Sequence, residues 1–115
     1  MALTEGIHQG AFLLAEANGT ISREQVTVTQ AGAALKSGTV LGKVTATGKY
    51  KPYSNAASDG SEVAAGILYT ELKEAVTGDV KAAVIVRHAE VRNAALTGLD
   101  TAGRADLLAL GIIVR

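Results

Sequence analysis

The chain contains no cysteine. Disulfides, thiolate metal sites and cysteine nucleophiles are therefore excluded. Tryptophan is absent, and with only Phe12, Tyr50, Tyr53 and Tyr69 as aromatics, aliphatic side chains must build the core. One proline beside thirteen glycines indicates many tight turns. Eleven basic and eleven acidic side chains give a formal net charge of zero. That balance argues against nucleic acid as the main ligand, since a basic surface usually supplies much of such affinity. No apolar run approaches the ~20 residues of a membrane-spanning helix. Ala11–Ala17 mimics a signal-peptide core but has no basic segment before it and too short an apolar part, so it reads as mature protein.

What remains is a 115-residue chain of 48% hydrophobic residues, too apolar to be disordered and of a size for one domain. It is organised around residues 37–68. Val40, Leu41, Val44, Thr45 and Thr47 suit a pleated surface, and Gly38, Gly42 and Gly48 mark bends, which together predict a β-hairpin. Asp59-Gly60 signals a turn leading into a further strand that ends Gly66-Ile67-Leu68-Tyr69.

Residues 1–10 are polar and unpatterned and read as a tail, followed by the compact apolar patch Phe12-Leu13-Leu14. Ser22 and Gln25 fit a capping box, yet Val26 and Val28 alternate with Thr27 and Thr29, and the β-branched run favours a strand. Ala33-Ala34-Leu35 could make one helical turn. Thr77-Gly78-Asp79 marks a turn, and residues 80–86 form a strand whose apolar block at 82–86 implies burial on both faces. Ala89 and Val91 share one side of the next strand. Asp100 or Thr101 caps a short helix over 102–110 with Leu107, Leu108 and Leu110 as its apolar face. Gly111 stands at the C-cap, and Ile112-Ile113-Val114 makes a last strand. No repeat or linker points to a second domain.

Chemistry-bearing patterns are few. The stretch from Gly42 to Lys49 differs from a phosphate-binding loop, with five residues between its glycines and Tyr50 after the lysine. His8 and His88 have no partner at metal-ligand spacing, and Asp59, Ser61 and Glu62 are too few oxygens for a calcium loop, so a turn is the better reading. Glu71 and Glu74 lack an aromatic platform beside them, and no Gly-x-Ser-x-Gly elbow occurs. Lys43, Lys49 and Lys51 form a cationic cluster, either solvated hairpin edges or a contact surface. Nothing here supports an enzyme, a cofactor or a metal.

Gly38-Thr39-Val40-Leu41-Gly42-Lys43, Gly48-Lys49-Tyr50, Asp59-Gly60-Ser61 and Ala65-Gly66-Ile67-Leu68, in that order and spacing, resemble the lambda-type bacteriophage head decoration proteins. The stretch from Glu16 to Glu24 and the helix, glycine and strand at the C-terminus fit the same pattern, so the resemblance covers roughly residues 12–115. It implies a structural protein that sits as homotrimers on the outside of a mature phage head, in the virion, after assembly in the bacterial cytoplasm. The implied partner is the major capsid protein, with no nucleic acid and no membrane. The fold expected from the residues is a small, mostly-β α+β domain, a compact and partly closed barrel-like sheet with one short C-terminal helix. Residues 1–17 are expected as a flexible arm and 18–115 as the single β-rich domain.

The capsid-contact candidates are Phe12, Leu13, Leu14, Ser22, Arg23 and Glu24. For the apolar three, two readings stand: they tuck into the core, or they belong to an arm that orders on the shell. Burying them yields ~5–8 kcal/mol gross. Ordering the backbone costs ~1–2 kcal/mol per residue, so one arm alone would grip poorly and three together well. For Ser22-Arg23-Glu24 the alternatives are a solvated turn and a capsid contact. Rival functions are a tail or fibre module and a small ligand-binding β-barrel, which would need a deep polar pocket.

Overall fold

The computed structural model describes residues 12–16, 22–72 and 77–115, and within them eight strands. In chain order they are β1 Leu13–Glu16, β2 Arg23–Ala31, β3 Val40–Lys43, β4 Tyr50–Pro52, β5 Ala64–Leu68, β6 Thr77–Ile85 and β7 Ala89–Val91. A 3-10 turn, Asn93–Ala95, then leads to helix α1, Thr101–Ala109, and to strand β8, Ile112–Val114. Five strands close a barrel in the order β2-β4-β3-β5-β6, with β6 returning to β2. The other three form a separate sheet, β1-β7-β8. The mostly-β expectation with one helix near the C-terminus therefore holds, and the barrel closes fully. Among the described residues, no helix is long and apolar enough to cross a membrane.

β2 and β6 pair antiparallel over nine residues, from Arg23↔Ile85 to Ala31↔Thr77, and form the long wall of the barrel. Alternation sends neighbouring side chains of each strand to opposite faces. Val28, Leu41, Tyr50, Leu68 and Val84 meet in one cluster made of barrel strands. Val40, Ile67 and Ile85, each one residue away from a member of the first cluster, join a second one with Val91, Leu107 and Ile112 from the small sheet and the helix. The apolar block in β6 is thus buried on both faces, because the small sheet and α1 cover the barrel's outer side there.

Several local expectations change. Thr77-Gly78-Asp79 is not a turn but the start of β6, since Gly78 and Asp79 continue the ladder opposite Gln30 and Thr29 and Thr29 Oγ1 donates to Asp79 Oδ1 at 2.9 Å. Ala33-Ala34-Leu35 makes no helical turn, and Leu35 instead bridges to Leu72 through two backbone bonds of 2.9 Å. The hairpin of β3 and β4 turns at residues 44–49, where Val44 N–H donates to the Lys49 carbonyl and Gly48 N–H to the Val44 carbonyl, both at 2.8 Å. Val44, Thr45 and Thr47 are therefore loop residues. Gly42 is inside β3 rather than at a bend. A Cβ there would lie 2.4 Å from the Ser61 carbonyl oxygen, so glycine is needed for backbone to cross backbone.

The C-terminal helix follows its local chemistry. Asp100 is the N-cap, accepting from Gly103 N–H at 2.7 Å, and Gly111 takes φ +81° just past the C-terminus. Leu107 is fully buried, but Leu108 is 64% exposed. Consecutive residues on a helix point ~100° apart, so both leucines cannot face one core.

Candidate functional site

The six sequence candidates come together where β1 meets the start of β2, but they do not share one environment. Phe12 is fully buried, its ring edge-on to Tyr69 at 6.4 Å and its carbonyl accepting from Arg92 N–H at 2.8 Å. Leu13 packs on the same cluster and stands opposite Val91, while Leu14 is 50% exposed at an irregularity in the β1–β7 ladder. Of the two readings of the apolar patch, core packing describes Phe12 and Leu13, and surface describes Leu14. Of the segment expected as an arm over 1–17, Leu13–Glu16 is strand β1 of the small sheet and Phe12 before it is buried, whereas residues 1–11 and Ala17 lie outside the described residues.

Ser22-Arg23-Glu24 is not a solvated turn. Arg23 and Glu24 begin β2, and Ser22 is fully buried, donating from Oγ to the His88 carbonyl at 2.8 Å. That bond holds the bend between β6 and β7, where His88 takes the left-handed φ of +47°. Arg23 is clamped from two sides. Its guanidinium lies 3.9 Å above the Tyr69 ring, and its Nε and Nη2 donate to the two Glu16 carboxylate oxygens at 2.9 and 2.7 Å. The bond to Glu16 pushes the Arg23 pKa further above its ordinary value, against the opposing effect of burial. Bidentate, stacked arginines are geometrically fixed in a way lysine cannot match. Glu24 is exposed and pairs with Arg87. The arrangement is a rigid, salt-bridged rim with Leu14 beside it. Among the described residues, it brings no nucleophile and base into contact.

Across the barrel, the lysine cluster resolves into pairs. Lys49 meets Asp79 at 2.6 Å and Lys51 meets Asp59 at 2.9 Å, while the Lys43 ammonium sits 6.0 Å from the centre of the Tyr50 ring. Asp59 also accepts from the Ser61 hydroxyl at 2.6 Å and the Ser61 N–H at 3.0 Å. These contacts, the Ser61 hydroxyl first and then Lys51, hold the Asp59 carboxyl well below the usual range, and Lys49 and then Thr29 lower that of Asp79. The Asp59-Gly60-Ser61 segment is a turn tied to a neighbouring strand. His8 and Glu74 lie outside the described residues, and among the described residues no three His, Asp or Glu side chains are placed to hold a metal ion.

One surface feature was not among the candidates. Leu108 and Ile113, 64% and 44% exposed, flank a groove of about 320 Å³ between α1 and β8, with Arg104 and Ala105 on the helix side. The sequence held a sign of it in the paired leucines 107 and 108, one of which had to leave the core.

A sequence profile for the family described as bacteriophage lambda head decoration protein D matches residues 2–112. No curated protein matches the chain. With the match running over nearly all of the sequence, including all five barrel strands and the helix, the chain belongs to the bacteriophage lambda head decoration protein D family, and its role is a structural one on a phage capsid.

Proposed function

We propose that the protein binds the outside of the mature head as a homotrimer, contacts the major capsid protein, and stabilises the shell against the pressure of packaged DNA. The observation that carries this reading is the family match over residues 2–112. A trimer bridging neighbouring capsomers adds contacts across seams that internal pressure tends to open, and shell expansion creates its binding sites. The work is mechanical, without catalysis, nucleic acid or membrane, and assembly takes place in the host cytoplasm.

Of the six candidate residues, Leu14, Arg23 and Glu24 present surface to the shell, with Leu13 at the rim. Phe12 and Ser22 act by anchoring, since both are fully buried. The segment before Phe12 adds a further grip on the shell through strand-type hydrogen bonds, which three subunits multiply through effective concentration.

The test mixes the protein with undecorated, expanded heads and measures cosedimentation and survival of heat and chelator. Wild-type protein is expected to cosediment and protect, and protein lacking residues 2–11 to fold but fail to decorate. Failure of the full chain to cosediment refutes the reading, and undiminished decoration by the truncated chain refutes the role of the arm.

A further inference from the structure

We infer that Asp59–Gly60 is a latent isoaspartate site, labile in an open chain and held unreactive by the folded turn, so that isomerisation there marks molecules whose turn has opened. Asp59 is the only aspartate followed by glycine in the sequence. Gly60 has no Cβ to hinder approach to its nitrogen, and Asp59 is exposed, so sequence and exposure alone would both class the pair as vulnerable. This property belongs to the free protein and is independent of the capsid-binding role. A virion, which cannot replace a damaged subunit, gains from it.

The reaction is an intramolecular condensation followed by hydrolysis. The Gly60 nitrogen attacks Asp59 Cγ, an N–Cγ bond forms, and the amide proton and the carboxyl hydroxyl leave together as water. Water then opens the succinimide ring at the former backbone carbonyl, and the chain now runs through Cβ and Cγ, longer by one methylene. One water leaves and one returns, with no change of oxidation state. Ring closure needs a neutral carboxyl, an uncommitted amide and room for the chain to bend.

The turn opposes all three. Asp59 Oδ1 accepts from the Ser61 hydroxyl at 2.6 Å and the Ser61 N–H at 3.0 Å, and Oδ2 accepts from Lys51 Nζ at 2.9 Å. These donors favour the carboxylate, the form that ring closure cannot use, and fix both of its oxygens. The Gly60 N–H donates to Glu62 Oε1 at 2.8 Å, a bond that attack must break, beside a negative charge that resists loss of the amide proton. Space is short as well. A Cβ on Gly60 would lie 2.3 Å from Thr45 Oγ1 and 2.7 Å from the Lys43 carbonyl oxygen, and Thr45 N–H donates to the Asp59 carbonyl at 2.9 Å. Next in the chain, Ser61 is fully buried where its backbone crosses Gly42. An extra methylene does not fit between these contacts, and the carbonyl that Thr45 bonds becomes part of a free carboxylate. The product therefore cannot re-form the turn.

The test ages the full chain at neutral pH and measures isoaspartate at position 59 by peptide mapping, beside a synthetic peptide of residues 50–66 in the same buffer. The peptide is expected to isomerise, and the folded protein to do so at least roughly tenfold more slowly, the scale of one charged hydrogen bond that must open first. Ser61→Ala should speed the folded protein roughly tenfold and Lys51→Met roughly two- to fivefold, with neither substitution speeding the peptide. Ser61 is buried, so where Ser61→Ala lowers the urea midpoint, Lys51→Met, at a partly exposed side chain, decides. A folded rate within about twofold of the peptide overturns the inference. So does a rate that neither substitution raises, or that each raises equally in the peptide. Both results leave the capsid-binding role untouched.

Discussion

Replacing Phe12 with alanine tests whether the N-terminal strand is bolted to the domain or merely lies on it. The ring is fully buried among Val40, Val91 and Ala95 and stands edge-on to Tyr69. Removing a buried phenylalanine side chain costs about 3–5 kcal/mol, the transfer and cavity contributions together. For a chain of 115 residues that is a fall in thermal midpoint of ~10–20 °C, at about 4 °C per kcal/mol. Leu14→Ala removes a half-exposed side chain and should stay within about 0.5 kcal/mol of wild type. Urea unfolding followed by far-ultraviolet circular dichroism, at matched protein concentration because subunit association shifts the midpoint, measures both. Two deletions sharpen the comparison. Removing residues 2–11 should leave stability unchanged, whereas removing 2–17 takes Phe12 and β1 away and should cost at least as much as Phe12→Ala. An alanine variant at Phe12 within about 1 kcal/mol of wild type, or equal stability of the two deletions, would show that the strand is not anchored as described.

Three further outcomes follow from the packing. Gly42→Ala drives a Cβ to 2.4 Å from the Ser61 carbonyl oxygen and should destabilise by about 3 kcal/mol; Gly98→Ala, with open space around it but a φ of +85°, should lose only about 1 kcal/mol, both read as urea midpoints. Tyr53 donates from its hydroxyl to Asp100 Oδ1 at 2.7 Å, and Tyr53→Phe should cost about 1 kcal/mol. Burial, and then that bond, pushes the Tyr53 pKa from 10.0 up to about 12, so the folded protein keeps a proton that the unfolded chain releases. Its contribution is complete below pH 10 and fades as pH rises toward 12, and the alkaline loss should be smaller in Tyr53→Phe. The Gly103 N–H, and then the Tyr53 hydroxyl, lower the Asp100 pKa below its ordinary 3.8, so that stabilisation is present above pH 4 and lost as pH falls through the acid range. Asp100→Ala should reduce helical ellipticity at neutral pH and flatten the acid limb of the stability curve; an unchanged limb contradicts the cap.

Where chemistry is local, the sequence was legible. Alternation in Val26–Thr29 and the apolar block after Val80 became β2 and β6, and the Asp100 cap and Gly111 stop delimited α1 within a residue of expectation. The candidate site was legible only as a neighbourhood. Ser22, Arg23 and Glu24 are consecutive, yet the first is a buried strut, the second a stacked clamp and the third an exposed ion pair.

By itself, the sequence determined the repertoire of elements, the aliphatic core and the absence of thiol chemistry, because propensity, capping and composition act within a few residues. Tertiary structure decided the rest. Which leucine of the pair 107–108 is buried, why Gly42 lies inside a strand, and that Gly78 opens a ladder rather than a turn all depend on partners distant in sequence. Faces, registers and close approaches are set when strands from separate parts of the chain pack together, and no window along the sequence contains both sides of such a contact.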